Sequence, residues 1–175
     1  LDTGVPVIYD AAHAVGTKYH GQPIGGRSKA SCYSFQSNKN MTCLGEGGAI
    51  TTNDAEFAEK VRQLKTFGYV YGGPALRVSS IGFNYRMTNI EASLGLAQMQ
   101  RLEEFMVNKR LFYSIYQEKL KGLKGVCFQK EHDEASRSFW LTCITVENDI
   151  PILELQKKIR KKGIPTRRIF TPINE

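Results

Sequence analysis

The chain has 175 residues, 41% of them hydrophobic and 23% charged, which describes an ordinary globular protein with room for one domain and a small extension. No apolar run reaches the length that spans a bilayer, and no signal-peptide pattern opens the sequence. The net charge of +7 is local, since seven basic residues and no acid lie between Lys157 and Arg168, and the remaining basic and acidic residues balance at 17 each. A solvated helix face is the first reading of that run, attraction of an anionic substrate the second, and nucleic-acid binding ranks below both, because no aromatics for base stacking are interleaved.

Leu1 opens the sequence and a strand-like run (Val5, Val7, Ile8, Tyr9) follows at once, which reads as the middle of a fold. Strands are predicted over residues 5–10, 30–36 and 47–52, each short, apolar or β-branched and bounded by Gly, Asn or Ser. The near-continuous apolar character of the first predicts burial on both faces, as in a sheet covered by helices. A helix follows, with Asn53 and Glu56 at capping-box spacing, Phe57, Val61 and Leu64 on one stripe, and Gly68 at its end.

Residues 68–87 are rich in glycine and aromatics (Tyr69, Tyr71, Gly72, Gly73, Pro74, Gly82, Phe83, Tyr85) and predict a long functional or mobile loop. A single helix is predicted from about Thr88 to Leu120, with Thr88 and Glu91 again at capping-box spacing. Thirty residues of helix measure roughly 45 Å, longer than a small domain is wide, so this helix should bridge two domains. Strands at 125–129 and 138–146, a helix at 151–162 and a last strand from Ile164 complete the series, with Pro151 suited to a first helical turn and Gly163 to the helix end. Residues 1–105 thus form part of a large domain, and 106–175 the bridging helix and part of a small α+β domain.

The four cysteines (Cys32, Cys43, Cys127, Cys143) show no paired spacing and no interleaved histidines, which argues against both a zinc site and a disulfide framework. Cys32, Cys127 and Cys143 stand in apolar strand-like runs and are expected to be buried free thiols, which points to a reducing cytoplasm.

The chemistry gathers around Lys39, in Ser37-Asn38-Lys39-Asn40 after an apolar strand. Ser34 near the strand end offers a hydroxyl for a phosphate oxygen. Gly45-Glu46-Gly47-Gly48 makes a tight turn that admits close backbone approach. Asp10 ends the first strand, at the carboxyl edge where ligands of open α/β sheets collect. An amine for an imine, a carboxylate for a ring nitrogen and a phosphate donor are what pyridoxal phosphate requires. The spacing alone is only suggestive, because Asp, Ser and Lys are common.

Four blocks make it specific. Tyr9-Asp10-Ala11-Ala12-His13-Ala14-Val15-Gly16, Ser34-Phe35-Gln36-Ser37-Asn38-Lys39, Gly45-Glu46-Gly47-Gly48-Ala49-Ile50-Thr51-Thr52 and Gly82-Phe83-Asn84-Tyr85-Arg86-Met87-Thr88 resemble, in order, successive blocks of the DegT/DnrJ/StrS family. These are fold-type-I, pyridoxal-phosphate-dependent aminotransferases acting on nucleotide-linked keto-sugars. The resemblance implies an α/β fold comprising the C-terminal part of the large-domain sheet, a long bridging helix and part of a small α+β domain. It makes Lys39 the Schiff-base lysine and the base of the proton shift, Asp10 the partner of the pyridine nitrogen, His13 a contact of the ring and its hydroxyl, and Ser34 a phosphate ligand. Asn84 would reach the phosphate of a neighbouring subunit, so that a homodimer shares its active sites. The bland alternatives are a backbone-bonded core histidine for His13, a turn cap for Asn84, a turn-shaping role for Glu46 and a structural ion pair for Arg86.

A histidine at the lysine position marks the family's dehydrating branch, so Lys39 argues for transamination, from an amino acid donor such as glutamate to the keto-sugar, in amino-sugar or surface-polysaccharide biosynthesis. Family members are considerably longer: the first sheet strands, a phosphate-binding turn, the aromatic that stacks on the cofactor and most of the small domain find no counterpart here. The expectation is that these 175 residues alone bind the cofactor weakly and turn over nothing detectable. A non-catalytic fragment acting through folding or association is the alternative.

Overall fold

A computed structural model of the chain describes residues 3–70, 72, 77–147, 149–171 and 173–174. The chain is mixed α/β and divides into two units, residues 1–115 with 131–142, and residues 116–130 with 143–175. In chain order the elements are β1 (Ile8–Asp10), β2 (Lys18–Tyr19), β3 (Gln22–Pro23), a 3-10 turn (Ile24–Gly26), β4 (Ala30–Ser34), β5 (Gly48–Thr51), α1 (Ala55–Lys65), β6 (Tyr69–Val70) and β7 (Arg77–Val78). They continue with α2 (Asn89–Gln100), α3 (Leu102–Lys119), β8 (Val126–Phe128), β9 (Ala135–Ser136), β10 (Ile144–Val146) and α4 (Ile152–Lys161).

The sheet that carries the first three of the four blocks has the order β1-β4-β5. β1 and β4 run parallel with Asp10 opposite Cys32, whereas β5 returns antiparallel with Gly48 opposite Ser34. The return is tight: a Cβ on Gly48 would stand 2.5 Å from the Tyr33 carbonyl oxygen, which only glycine avoids. Val15, Phe35, Met41 and Cys43 form the buried cluster beneath the loops that follow β1 and β4, with Tyr33, Ala49 and Leu102 packed against it.

β1 departs from expectation. Val5, before the strand, is 67% exposed and Ile8 within it 60%, so neither face of β1, the edge strand of its sheet, is covered as expected. The cysteine expectation also fails: Cys127 is exposed and Cys32 and Cys143 half-buried, while Cys43, in a turn, is 1% exposed. Burial pushes the Cys43 thiol upward from its ordinary pKa, with the charge of Glu91 adding to the effect.

α1 starts one residue later than the spacing suggested. Asp54, not Asn53, is the N-cap: its carboxylate accepts from the Phe57 N–H at 2.9 Å and from the Lys29 side chain. Asn53 instead donates its side-chain amide to the Gly26 carbonyl at 3.0 Å. The Thr88–Glu91 capping box is present at the start of α2. The expected single helix of residues 88–120 is two helices, broken at Arg101, whose N–H turns back to the Gln98 carbonyl and whose guanidinium forks onto Glu104. α3 buries Met106 and Tyr113 in the first unit and ends in the second.

The predicted loop of residues 68–87 contains a β6–β7 hairpin, and Asn84 pairs across to Thr66 in an antiparallel bridge. Tyr71, Gly73 and Pro74 of that stretch lie outside the described residues. The sequence analysis missed β9, which pairs with β2 from 115 or more residues away and lays residues 135–140 beside the loop after β1. Of the strand expected at 138–146 only β10 forms, antiparallel to β8 in the second unit, and residues 164–171 form no strand. Among the described residues no helix is long and apolar enough to cross a membrane.

Candidate active site

Parallel pairing of β1 and β4 sends both chains out of the sheet at one edge. Asp10 is the last residue of β1 and Ser34 the last of β4, so both stand at that edge. The Asp10 carboxylate accepts the Ala12 N–H at 3.1 Å, which opens the following loop. The Ser34 hydroxyl oxygen accepts the Gln36 N–H at 3.3 Å, leaving its proton to donate elsewhere.

Beyond Ser34 the ladder continues without strand regularity. Phe35 donates its N–H to Gly47 at 2.7 Å and Ser37 to Gly45 at 2.9 Å, so the glycine-rich turn runs alongside the lysine-bearing segment. Lys39 closes a turn, its N–H reaching the Gln36 carbonyl at 2.9 Å. Asn40, buried, fixes that turn: its amide donates to the carbonyls of Val15 at 3.2 Å and Ser138 at 3.1 Å. The loops after β1 and β4 are thereby tied to each other and to residue 138.

Asp10 and Ser34 share one sheet edge. His13 and Lys39 share a different partner, Trp140. The His13 ring stacks on the indole at 3.7 Å between centroids and 15° between planes, and the Lys39 Nζ stands 4.7 Å from the centroid of a Trp140 ring. His13 is thus exposed and ring-stacked, not a core histidine. Asn84 belongs to another feature, the bridge to Thr66, where its side-chain oxygen accepts from the Arg86 guanidinium at 3.0 Å. Arg86 lies over the Phe67 ring at 5.0 Å, so its partners are an amide and an aromatic face. Sequence reasoning assigned nothing to Trp140, and the available signal was that it is the only tryptophan in the chain.

An open groove of about 470 Å³ is lined by Glu59, Arg62, Lys65, Thr66 and Arg86. Asp10, Ser34 and Lys39 do not line it. Among the described residues no cluster of His, Cys, Asp or Glu has metal-binding form.

This mixed α/β arrangement is part of a fold-type-I sugar-aminotransferase fold. It matches the aminotransferase PseC of Helicobacter pylori, involved in pseudoaminic acid biosynthesis, with a TM-score of 0.88 at 26% identity, covering 98% of this chain and 47% of that one. The chain belongs to the DegT/DnrJ/EryC1/StrS aminotransferase family, which it matches over residues 1–175. It is 37% identical over 174 residues to GDP-perosamine synthase of Caulobacter vibrioides, covering 96% of this chain and 46% of the relative. It is 34% identical over 173 residues to EpsN of Bacillus subtilis, assigned as a pyridoxal phosphate-dependent aminotransferase, covering 98% of this chain and 44% of the relative. The chain therefore spans about half the length of the curated relatives it matches.

The donor set suits pyridoxal phosphate. A carboxylate with one local hydrogen bond and a hydroxyl with its proton to give end two neighbouring strands, and a primary amine stands on the turn that follows β4. These complement a pyridinium nitrogen, a phosphate and an aldehyde respectively.

Proposed function

We propose that the protein carrying this chain is a pyridoxal-phosphate-dependent aminotransferase that moves an amino group from an amino acid, glutamate by preference, to a nucleotide-linked keto-sugar. The observation that carries this reading is the setting of Lys39: an amine on a turn fixed by Asn40, in the segment that leaves β4 where Asp10 and Ser34 end neighbouring parallel strands. Similarity to a GDP-perosamine synthase and to an aminotransferase of pseudoaminic acid biosynthesis supports a sugar nucleotide as acceptor. Amino-sugar or surface-polysaccharide synthesis in the cytoplasm is the setting this suggests.

Bound at this site, pyridoxal phosphate supplies a carbonyl that carries the amino group and a ring that stores the electron pair left when a proton departs. Lys39 holds the cofactor through Nζ and, once released from it, takes and returns the proton at the substrate carbon. Asp10 keeps the ring nitrogen protonated by facing it with a negative charge. Ser34 donates its hydroxyl proton to the phosphate. His13 lies against the ring and its hydroxyl. Asn84 serves the phosphate of a second subunit, which makes a homodimer the active form.

The test is chemical. The natural gene product that carries these residues is incubated with pyridoxal phosphate, reduced with borohydride and digested, and the labelled peptide is mapped. Label concentrated on Lys39 supports the proposal; label spread over surface lysines sinks it.

A second reading draws on β1. Exposed Ile8, with Val5 and Val7 just before the strand, suits a fragment that acts through folding or association and does no catalysis. Lys39-specific labelling without amino transfer would favour it.

A further inference from the structure

The indole of Trp140 meets the reactive lysine directly, and we infer that Trp140 is a positioning residue for Lys39, presenting the amine to its aldehyde partner at a fixed place. The inference rests on the reading of Lys39 proposed above and adds a residue to it.

Two residues of one short segment, Ser138 and Trp140, are committed to the two site loops. Ser138 donates its hydroxyl to the His13 carbonyl at 2.7 Å and accepts the Asn40 amide on its own carbonyl at 3.1 Å. Trp140 donates its indole N–H to the carbonyl of Asn38, the residue before Lys39, at 2.7 Å. Its ring takes the His13 stack and the Lys39 Nζ contact. The Lys39 turn is therefore held from both ends of its side chain, at the backbone through Asn38 and at the nitrogen through the indole.

Phe139, between these two, has φ +48, a left-handed conformation that a bulky residue adopts only where its surroundings force it. The forcing groups are visible. Its ring packs on Tyr113 of α3 at 4.9 Å, and the guanidinium groups of Arg137 and Arg110 stand 4.7 Å and 5.3 Å from its centroid. One turn away on α3, the Lys109 Nζ donates to the Trp140 carbonyl at 2.9 Å, and burial lowers the pKa of that amine. Arg110 also reaches the Ser136 hydroxyl at 2.9 Å. α3 thus grips residues 136–140 at several points, and the strained turn delivers the indole to Lys39. Packing alone would need an apolar side chain at 140. An N–H aimed at Asn38 together with a face under Nζ is a more specific demand.

The experiment uses the natural gene product and its Trp140→Phe and Trp140→Leu variants. Each is treated with pyridoxal phosphate and borohydride. The amine condenses with the aldehyde, water leaves, and hydride adds to the carbon of the new double bond to leave a stable secondary amine. Peptide mapping gives the rate of labelling at Lys39 relative to exposed Lys157, which serves as the internal control. The expected result is a relative rate about fivefold lower or more in Trp140→Leu, which loses both the N–H bond to Asn38 and the ring beneath Nζ, and a smaller fall in Trp140→Phe, which loses the N–H and keeps a ring. The emission assigned to Trp140 by difference between the parent protein and Trp140→Phe should fall in step with labelling of Lys39.

Unchanged relative labelling in Trp140→Leu overturns the proposal, and so does an equal fall in both variants, because the ring that Trp140→Phe keeps would then hold nothing. If Trp140→Leu does not fold, the emission decides: label on Lys39 with steady emission overturns it. A parent protein that never labels at Lys39 is a different outcome, because it overturns the reading of Lys39 itself.

Discussion

Gly95 of α2 faces Cys43 so closely that a Cβ on the glycine would stand 2.7 Å from the thiol sulfur. That approach seats α2 against the turn that follows Lys39, because Cys43 donates its N–H to Phe35 at 2.9 Å and lies in the same buried cluster. Two effects oppose each other on substitution. Replacing a mid-helix glycine with alanine ordinarily gains about 0.5–1 kcal/mol, while overpacking a tight contact costs about 1–3 kcal/mol. The clash should win. Gly95→Ala is expected to lower the urea midpoint, and adding Cys43→Ala should recover most of the loss; the coupling in that double-mutant cycle is the measurement.

Asn40 offers a sharper contrast. Its amide donates to two carbonyl oxygens in a buried setting. Asn40→Ala leaves those carbonyls without their donor, at about 1–3 kcal/mol. Asn40→Asp should be worse despite its similar shape, because an acceptor-only carboxylate would confront both carbonyls. Denaturant unfolding of both variants tests the ranking, and equal midpoints would contradict it.

Acid should weaken the helix starts first. Asp54 is held below its usual pKa chiefly by the hydrogen bond from Lys29 and then by the Phe57 N–H, and Glu91 by its bonds from the Thr88 backbone and hydroxyl. A carboxylate whose folded pKa is depressed adds stability that is full above its unfolded pKa and disappears as the pH falls through the folded value. Stability at neutral pH therefore includes these caps, and the loss sets in as the pH falls through the ordinary carboxylate range and is complete below it. In Asp54→Asn with Glu91→Gln, thermal midpoints measured down the acid limb should fall less steeply than in the parent.

Asp10→Asn tests the proposed ring partner. Amide for carboxylate keeps the shape and removes the charge, so amino transfer by the natural gene product should fall on the order of 10²-fold, the cost typical of one lost electrostatic group at a reacting centre. The midpoint for unfolding should move little, since the one local bond of Asp10, from the Ala12 N–H, can still form to the amide oxygen. Steady-state rates together with a melting curve separate the two effects.

The strands of the central sheet and the start of α2 were legible because each rests on local chemistry. β4 is a run of small residues with Tyr33, β5 has small and β-branched residues, and Thr88 with Glu91 spells its own cap. The break at Arg101 was not, since Leu96, Met99, Leu102 and Met106 keep helical spacing across it, and periodicity is blind to a kink that preserves the stripe. Cys43 was overlooked for a related reason. A buried turn residue belongs to no period, and its burial comes from α2 packing, a tertiary fact. Around the site, Lys39, Asp10 and Ser34 could be read from short blocks. Trp140 could not, because its partners lie about a hundred residues upstream and a strand expectation over 138–146 hid the left-handed turn at Phe139.

The same separation has a bearing on time. His13 and Ser138 are joined across 125 positions, and Asn38 and Trp140 across 102. Closing loops of that length is entropically costly and slow compared with forming β4 or α2, so contacts of this kind mature after the local ones. During synthesis the Lys39 turn emerges long before the segment that seats it. A chain halted before residue 140 would carry the reactive amine on an unfinished turn, so the last step of building this site is the arrival of a tryptophan.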